Sequence, residues 1–440
     1  MFVVATVFLV FARTFHFGLY FDDYHHARSW TLHQVLGTFA GPFDPLGIEP
    51  PYYRPLLVVT FAIDWNIWGY NALGYHLTNV LLHAIASVLV YVLLQRLHVR
   101  WWVALLGALF FAIIPANAAT AIYISERSDA MIAICALSGL LCLDNYRRSG
   151  RNAWLIGVNL AVVLAVGSKE IGVAVPLLIA FFWAYHAVID APYLTGPRTV
   201  LSCWRAQIQH AQHTLFGQKN WQRTALIIFP PMALLALYLV YRTIVLPTGL
   251  VSQRYSTAVS PIHGYASAIF WTFKAVPWEV PSLALPWLLG AGGLAALLKP
   301  RSEHWRIVAC GAGWVALSCL PLGYLGQVEP RLLYLPEVGH AIVVAGLAAI
   351  LFDIVQMGWR NQKTRSLAAA GLAILLGIGF FTTTMISEVR AQDEFQPDGY
   401  KMRHAMNEIM TDLRYRDLYP AYYLKQIEQR LQNPEKDDNP

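Results

Sequence analysis

The sequence predicts an all-α, polytopic membrane protein, and its composition, its apolar runs and its loop charges each support that fold class. Of its 440 residues, 57% are hydrophobic and only 13% are charged, whereas soluble domains carry roughly 25% charged residues. The formal net charge of +6 is spread along the chain and therefore does not predict a nucleic-acid surface. No Walker A or Gly-x-Gly-x-x-Gly motif occurs, so a nucleotide-binding domain is not supported.

Eleven apolar runs have a length at or near that of a membrane span, which needs about 20 apolar residues. They are Phe2–Leu19, Tyr75–Leu97, Trp101–Ala118, Ala130–Tyr146, Ala153–Gly167, Ile171–Ile189, Leu226–Leu246, Leu283–Leu298, Ile307–Leu325, Leu335–Met357 and Leu367–Met385. Ala153–Gly167 is short for a crossing, and Arg13 interrupts the first run. A signal peptide is the alternative for that first run, but the basic residues that should precede it are missing.

Lys and Arg residues are concentrated in alternate loops, and loops rich in these residues face the cytoplasm. One set of loops holds fifteen of them and the opposite set holds seven. The richer set is Arg96, Arg100, Arg147, Arg148, Arg151, Arg198, Arg205, Lys219, Arg223, Lys299, Arg301, Arg306, Arg360, Lys363 and Arg365. The sequence therefore predicts a multi-pass protein of a bacterial inner or plasma membrane, with residues 190–223 as a basic cytoplasmic loop.

The outer loops contain most of the acidic residues and also three short helical patterns. Eleven of the fifteen acidic residues before residue 386 fall outside; topology does not require such a bias, so it indicates a site on the outer face. The three patterns are a helix capped by Thr31, one from Pro55 to Trp68 and one from Pro261 to Trp278, each too short to span and suited to the membrane interface. The predicted organisation is therefore a transmembrane catalytic domain at 1–385, with outer loops at 20–74 and 247–282, and a short polar outer tail at 386–440.

The adjacent carboxylates Asp22 and Asp23 directly follow the first apolar run, where they are costly unless they face water or a polar cleft. Three further outer turns, at 125–129, 168–170 and 327–336, combine cations with carboxylates. Their charged members are Glu126, Arg127, Asp129, Lys169, Glu170, Glu329 and Arg331. Taken singly, each cation is explained equally well as a charge partner of nearby acidic residues and as a functional residue. Together the four segments place carboxylates and cations at one membrane depth, which favours a polar site.

These motifs resemble those of the GT-C glycosyltransferases. The stretch from Tyr53 to His83 contains Tyr-Arg-Pro-Leu, Trp-Gly-Tyr-Asn and Gly-Tyr-His-Leu-Thr-Asn. It is similar to a stretch of the membrane O-mannosyltransferases that carry tetratricopeptide repeats, and of their bacterial relatives. The segments 125–129, 168–170 and 331–336 resemble that family's later motifs in the same order. The tail after Met385 departs from the family because it shows no repeat of about 34 residues.

This resemblance implies transfer of a sugar, with mannose as the family's sugar, from a polyprenyl- or dolichyl-phosphate carrier. The acceptor is a hydroxyl of a protein, glycan or lipid on the outer face, in the manner of protein O-mannosylation. Elementary chemistry agrees, since a phosphate leaving group needs cations and no proton, and the acceptor hydroxyl needs one general base. Glycosidases differ because their two carboxylates act on an uncharged leaving group.

The resemblance also implies residue roles. Asp22 or Asp23 is the base of an inverting attack, with Asp22 preferred. Arg331 is the first choice for the carrier phosphate, followed by Lys169 and Arg127. Glu126, Glu170 and Glu329 are expected to orient these cations or to bind sugar hydroxyls. Arg54, from the resembling stretch, is a further candidate for substrate binding. Three polar residues of the resembling stretch have packing of the second span as their alternative role: His76, Asn79 and His83.

Two alternatives stay open. No cofactor is firmly predicted. The alternative is a divalent metal bound near Asp22 and Asp23, since His25 and His26 lie beside them in the sequence. The rival function is a polytopic transporter or lipid flippase without transferase activity. Transporters place ionisable groups near the middle of the membrane and are built from repeated halves. Here the carboxylates lie at the ends of spans, which favours the transferase.

Overall fold

The computed structural model describes residues 1–19, 23–44, 52–189, 209–210, 212–217, 220–246, 260–274, 285–298, 304–324, 330–361, 364–393, 424–425 and 428. Within these ranges the regular structure is helical and no strand forms. The all-α fold class is thereby confirmed for this part of the chain. Much of the predicted loops 190–223 and 247–282, and most of the tail 386–440, lie outside the described residues.

Most of the described residues belong to helices. They are α1 (Phe2–Val10), α2 (Asp23–His26), α3 (Leu32–Gly37), α4 (Pro55–Trp68), α5 (Ala72–Arg96), α6 (Trp101–Ile113), α7 (Ala118–Ile122), α8 (Arg127–Ser149), α9 (Ala153–Ser168), α10 (Ala174–Ile189), α11 (Trp221–Val245), α12 (Pro261–Lys274), α13 (Leu285–Leu298), α14 (Trp305–Ser318), α15 (Tyr334–Asn361) and α16 (Thr364–Asp393). Three 3₁₀ turns matter for the site: Ile124–Glu126, Glu170–Val173 and Pro330–Leu333.

Six helical segments of the described chain are long and apolar enough to cross a membrane. They are Ala72–Arg96, Ile124–Ser149, Glu170–Val188, Trp221–Val245, Trp305–Gly323 and Tyr334–Gln356. A seventh crossing is reached if Trp101–Ile113 and Pro115–Ile122 form one span bent by 50°. Proline explains the break, because Pro115 has no N–H to continue the helical ladder. The multi-pass character is confirmed, and eleven crossings stay a prediction.

The first apolar run differs from its prediction. A single span over Phe2–Leu19 is wrong in its extent, because α1 ends at Val10 and a 3₁₀ turn follows at Ala12–His16. Arg13 lies in that turn, and a charge inside a lipid-exposed helix is costly. The Thr14 hydroxyl donates to the Phe11 carbonyl at 2.7 Å and closes the turn.

The three short outer helices form as predicted. Thr31 caps α3 in a reciprocal capping box: the Gln34 backbone N–H donates to the Thr31 hydroxyl, and the Thr31 N–H donates to the Gln34 side chain. Pro55 opens α4, and Pro261 opens α12, whose predicted end at Trp278 lies outside the described residues. The apolar face of α3 is exposed, and its place in the membrane interface stays a prediction.

Two apolar cores position the site. The larger core joins α5, α6, α8, α10, α14 and α15. The smaller core contains Leu19, Ala27, Trp30, Phe43, Tyr52, Leu57, Val58, Phe61, Tyr75 and Ile124. It draws the first outer loop onto α4, the start of α5 and the turn at Ile124. Residues that are far apart in the sequence therefore meet at one end of the helix bundle.

Candidate functional site

Asp23 joins the first outer loop to the turn before α8. Its side chain is fully buried, and its Oδ1 accepts a hydrogen bond from the Ser125 backbone N–H at 2.8 Å. Of the two surroundings expected for the acidic residues, water or a polar cleft, Asp23 does not have the first: the smaller core closes over it, and a backbone donor takes the place of water. Asp22 lies outside the described residues.

Arg127 is the central buried cation of this end of the bundle. Its side chain is fully buried, and its guanidinium donates to the Asp64 carboxylate and, through Nε, to the Ile124 carbonyl at 3.2 Å. The guanidinium also lies 4.5 Å from the centre of the Phe61 ring. Thr78 donates its hydroxyl to Asp64 at 2.9 Å, so α4, α5 and α8 converge on one ion pair.

Asp64 is a site residue that the sequence reasoning missed. In the sequence it is a polar interruption of the apolar stretch that forms α4. A carboxylate in such a helix is costly to bury unless a cation pairs with it. An acidic residue within an apolar stretch therefore predicts a buried cation as its partner. Arg127 is this partner, and Asp64 is 3% exposed.

Lys169 lies between two carboxylates of the α8 turn. Its Nζ donates to Glu126 at 2.8 Å and to Asp129 at 2.6 Å, and all three side chains are buried. Burial by itself lowers the pKa of Lys169, but the charges of Asp129 and Glu126 outweigh it, so the net pKa is raised. Asp129 is a second site residue that the sequence reasoning missed. It was noted as a charged member of the segment 125–129, but no role was assigned to it.

Arg54 and Glu170 form the outer side of the same cluster. Nη2 of Arg54 donates to the Glu170 carboxylate at 2.9 Å and Nε at 3.1 Å, while the guanidinium lies 4.2 Å from the centre of the Tyr52 ring. Burial lowers the pKa of Arg54, and the charge and hydrogen bond of Glu170 outweigh it and raise that pKa. Three of the four segments predicted to form the site therefore lie together, at Asp23, residues 125–129 and residues 168–170, and Arg54 joins them.

The two histidines beside the acidic pair are engaged elsewhere. His25 Nε2 lies 3.0 Å from Asp44 Oδ1, and His26 stacks on Phe61 with ring centres 4.7 Å apart. Burial and the neighbouring His25 lower the pKa of His26. Among the residues that the structure describes, no three His, Cys, Asp or Glu side chains converge as a metal would require. A metal held with Asp22 stays an untested alternative.

The polar residues of α5 have structural partners. His83 contacts the Tyr334 hydroxyl at 2.7 Å and the Ala112 carbonyl at 3.1 Å. Asn79 donates to the Tyr123 carbonyl at 2.8 Å, and His76 Nε2 lies 3.1 Å from the Gly18 carbonyl. These contacts support packing as the role of His76, Asn79 and His83.

Arg331 belongs to the 3₁₀ turn Pro330–Leu333, directly before α15. Leu333 and Tyr334 are fully buried, and the hydrogen bond between Tyr334 and His83 ties the turn to α5. The side chain of Arg331 and all of Glu329 lie outside the described residues. Their assignments to the donor stay predictions.

Comparison with known proteins agrees with the resemblance seen in the sequence. The family model described as dolichyl-phosphate-mannose-protein mannosyltransferase matches residues 51–246. Human protein O-mannosyl-transferase TMTC4 is 26% identical over 75% of this chain and 50% of its own length. Drosophila melanogaster protein O-mannosyl-transferase Tmtc1 is 24% identical over 74% of this chain and 47% of its own length. The chain is O-mannosyltransferase-like.

The fold has a solved counterpart. A crystal structure of the Archaeoglobus fulgidus oligosaccharyltransferase in the apo form aligns with 100% of this chain and 61% of its own chain, with a TM-score of 0.50 and 14% identity. This likeness supports a GT-C fold and concerns the fold alone. The chain spans about half the length of the curated relatives it matches, so their whole activity does not carry over directly.

Proposed function

We propose that this chain is a membrane glycosyltransferase that moves a sugar, with mannose the first choice, from a polyprenyl- or dolichyl-phosphate carrier to an acceptor hydroxyl. The proposal rests on the family match together with the convergence of Asp23, Arg54 and the turns at 125–129 and 168–170 at one end of the bundle. The acceptor is a protein, glycan or lipid. The carrier's tail stays in the bilayer while its sugar-phosphate enters the polar end of the bundle.

The observation that carries the proposal most directly is the hydrogen bond between Asp23 and the Ser125 backbone. Residues 102 positions apart meet there, so Asp23 is fixed beside the turn that contains Glu126 and leads into Arg127. A general base contributes most when it is positioned and not free to move. We assign the base to Asp22 or Asp23, with Asp22 preferred and Asp23 as the anchored neighbour that orients it.

The reaction needs one proton transfer and one charge to be stabilised. The acceptor hydroxyl gives its proton to the carboxylate, and the acceptor oxygen forms a bond to the anomeric carbon. The bond from that carbon to the phosphate oxygen breaks on the opposite face, which inverts the configuration. The released polyprenyl phosphate carries the electron pair of the broken bond, so cations stabilise it and no acid is required.

The ion pairs suggest how the cations divide this work. Arg127, Lys169 and Arg54 each have a carboxylate partner inside the protein. A cation whose charge is already balanced attracts a phosphate less strongly than one whose charge is available. We therefore assign to Arg127, Lys169 and Arg54 the task of fixing the site, with Asp64, Glu126 and Glu170 as their partners. Arg331 is kept as the residue proposed for the phosphate, as the resemblance implies. Glu329 is retained as a ligand for sugar hydroxyls.

The proposed topology puts the site on the extracytoplasmic side of the membrane. Eleven crossings, with the apolar helices shorter than a full span included, place the acidic pair and the tail 386–440 on the extracytoplasmic side. The loop charges support this orientation. The lipid carrier and the acceptor would then meet on that side of the inner or plasma membrane.

Incubation of the purified protein with a panel of lipid-phosphate sugars tests the proposal. The expected result is release of polyprenyl phosphate that depends on the sugar and on an added acceptor, fastest for mannose. The matched control is Asp353→Asn, a carboxylate substitution on α15 beside His304, which leaves the rate unchanged. Movement of the intact donor between leaflets with no release of carrier phosphate would favour a flippase and overturn the proposal.

A further inference from the structure

Two residues of α4, Phe61 and Asp64, contact the buried guanidinium of Arg127. They are three positions apart and therefore lie on the same face of the helix. Asp64 Oδ2 accepts from Nη1 of Arg127, and the centre of the Phe61 ring lies 4.5 Å from Cζ of Arg127. The same guanidinium donates through Nε to the Ile124 carbonyl at 3.2 Å. The face of α4 therefore helps to determine where this cation can donate.

A single peptide group connects Arg127 to Asp23. The carbonyl of Ile124 and the N–H of Ser125 belong to the same peptide bond, which is planar. Its carbonyl accepts from Arg127, and its N–H donates to Asp23 Oδ1 at 2.8 Å. Hydrogen bonds arranged in a chain polarise and strengthen one another. The place of Arg127 therefore bears directly on the hydrogen bond that anchors Asp23.

The other end of α2 (Asp23–His26) is tied to the same face of α4. The His26 ring stacks on Phe61, with ring centres 4.7 Å apart and an angle of 3° between the planes. One end of α2 is thus linked to α4 through Arg127 and the peptide group, and the other end is linked through Phe61. The two links together make α4 the element that supports Asp23.

Thr78 of α5 fixes the carboxylate of Asp64. Its hydroxyl donates to Asp64 Oδ1 at 2.9 Å, while Oδ2 accepts from Arg127. Both oxygens of the carboxylate are therefore engaged, and the side chain is only 3% exposed. A chain of hydrogen bonds runs from Thr78 through Asp64, Arg127 and the peptide group to Asp23.

We infer that Asp64 is a positioning residue of the transferase site, which holds Asp23 in place through Arg127 and the peptide group between Ile124 and Ser125. The inference rests on the proposed function and extends it, because Asp64 is then more than a charge partner. Without the Asp64 carboxylate, the buried guanidinium is left unbalanced and is drawn toward Asp23, one peptide group away. Such pairing would take Asp23 from the Ser125 N–H and shift it.

Thr78→Val tests the inference without any change of charge. The probe is sugar transfer from polyprenyl-phosphate mannose by the purified protein. The kcat is expected to fall by about twofold to tenfold, the range for one hydrogen bond. The KM for the donor is expected to stay unchanged, because Asp23 acts on the acceptor side of the reaction. Thr78→Ser keeps the hydroxyl and is expected to restore the kcat.

Thr60→Val is the matched control for Thr78→Val. Thr60 lies on α4, is half-buried like Thr78, and donates to the Leu57 carbonyl of its own helix at 2.7 Å. Thr78 also makes such a contact, to the Gly74 carbonyl at 3.2 Å, so the two variants differ in the hydrogen bond to Asp64. Thr60→Val is expected to leave the kcat unchanged. Equal kcat values in the two variants would overturn the inference.

A double variant separates positioning from stability. Asp64→Asn leaves a buried cation unbalanced and is expected to lower the unfolding temperature. Its kcat is expected to fall roughly 100-fold, the cost of an angstrom-scale misplacement. Asp64→Asn with Arg127→Met has no unbalanced charge and is expected to regain stability, while the kcat stays low because no side chain then donates to the Ile124 carbonyl. Recovery of both would show that Asp64 is only a charge partner and would overturn the inference.

Hydrogen exchange at the Ser125 amide needs no substrate and separates this inference from the proposed function. Thr78→Val and Asp64→Asn are expected to speed exchange in peptides that cover residues 124–126, and Thr60→Val is expected not to. Exchange as slow as in the wild type would overturn the inference, even where sugar transfer is confirmed. A wild type that transfers no sugar would instead contradict the proposed function, and exchange would still decide whether Asp64 holds Asp23. If Asp64→Asn does not fold, Thr78→Val gives the answer.

Discussion

Buried charges fix one another at the candidate site, and Lys169 shows this most clearly. It is 3% exposed and sits between Glu126 and Asp129. Removal of one partner from such a group leaves the others buried and unbalanced, which costs about 3–5 kcal/mol. Lys169→Met is therefore expected to lower the thermal unfolding temperature of the purified protein sharply, while it keeps the length of the aliphatic chain.

A compensated variant and the pH dependence give two controls for Lys169. Lys169→Met combined with Glu126→Gln and Asp129→Asn is expected to regain much of the lost stability, because no unbalanced charge remains. The raised pKa of Lys169 means that its stabilisation is full below the unfolded value of about 10.4. It is lost as the pH rises through the folded value. A single variant as stable as the wild type would show that this ion cluster does not hold the site together.

Arg331 is the residue to which we assign the carrier phosphate. Arg331→Ala is expected to weaken the binding of a sugar-free polyprenyl phosphate by roughly 10-fold or more, the size of a charge-assisted hydrogen bond. Binding is measured on the purified protein. Arg28→Ala is the control, since Arg28 belongs to the first outer loop and packs over Trp30 at 4.2 Å. Unchanged affinity in Arg331→Ala would move the assignment to Lys169.

At the scale of the elements, the crossing of α14 and α15 sets the spacing of the helices behind the site. A Cβ atom on Gly311 would lie 2.5 Å from the Gly339 carbonyl oxygen, and one on Gly339 would lie 2.7 Å from the Gly311 carbonyl oxygen. Small residues allow membrane helices to approach this closely. Gly311→Ala is therefore expected to lower stability by about 1–3 kcal/mol through overpacking.

Gly377→Ala on α16 is the matched control for the substitution at the contact between α14 and α15. A Cβ atom there has open space around it, so the gain in helix propensity of up to about 1 kcal/mol meets no steric penalty. Thermal unfolding of the two variants provides the comparison. Equal effects of Gly311→Ala and Gly377→Ala would mean that the close approach of α14 and α15 does not matter for stability.

The elements were predictable where a local pattern decides them and not where tertiary contacts do. Length and apolarity predicted the helices that became α5, α8 and α15, and Thr31 predicted the start of α3. The end of α1 at Val10 was missed although Arg13 interrupts the apolar run, because hydropathy over a long window does not locate the end of a helix. The bend between α6 and α7 was missed for the same reason, although Pro115 was visible in the sequence.

At the scale of the whole molecule, orientation is the property that decides which substrates reach the site. If the chain crosses the membrane eleven times as proposed, its C-terminal tail lies outside the cytoplasm, which is also what the loop charges predict. A reporter that is active only in the cytoplasm, fused after Pro440, is expected to stay silent. The same reporter fused into the basic loop after Arg198 is expected to be active. Strong activity of the fusion after Pro440 would reverse the topology.

The sequence predicted which residues belong to the candidate site better than it predicted which of them form ion pairs. Motifs far apart in the sequence identified Asp23, Arg54, Arg127, Lys169 and Glu170, and these residues lie together in the structure. Which carboxylate meets which cation depends on the packing of α4 against α5 and α9, and no local pattern contains that information. The sequence analysis therefore missed Asp64 and did not foresee that each of these three cations has a partner within the protein.

We propose that the acidic pair Asp22 and Asp23 belongs to a transferase site. The measurement that decides this is the turnover of the variants Asp22→Asn and Asp23→Asn. An amide keeps the shape of the carboxylate, and in Asp23→Asn its oxygen still accepts from Ser125, so both variants are expected to fold. Asp22→Asn is expected to lose roughly 100- to 10,000-fold in the rate of sugar transfer, the contribution of a positioned base, while donor binding survives. Asp23→Asn is expected to lose less. Near-normal transfer rates in both variants would contradict the account.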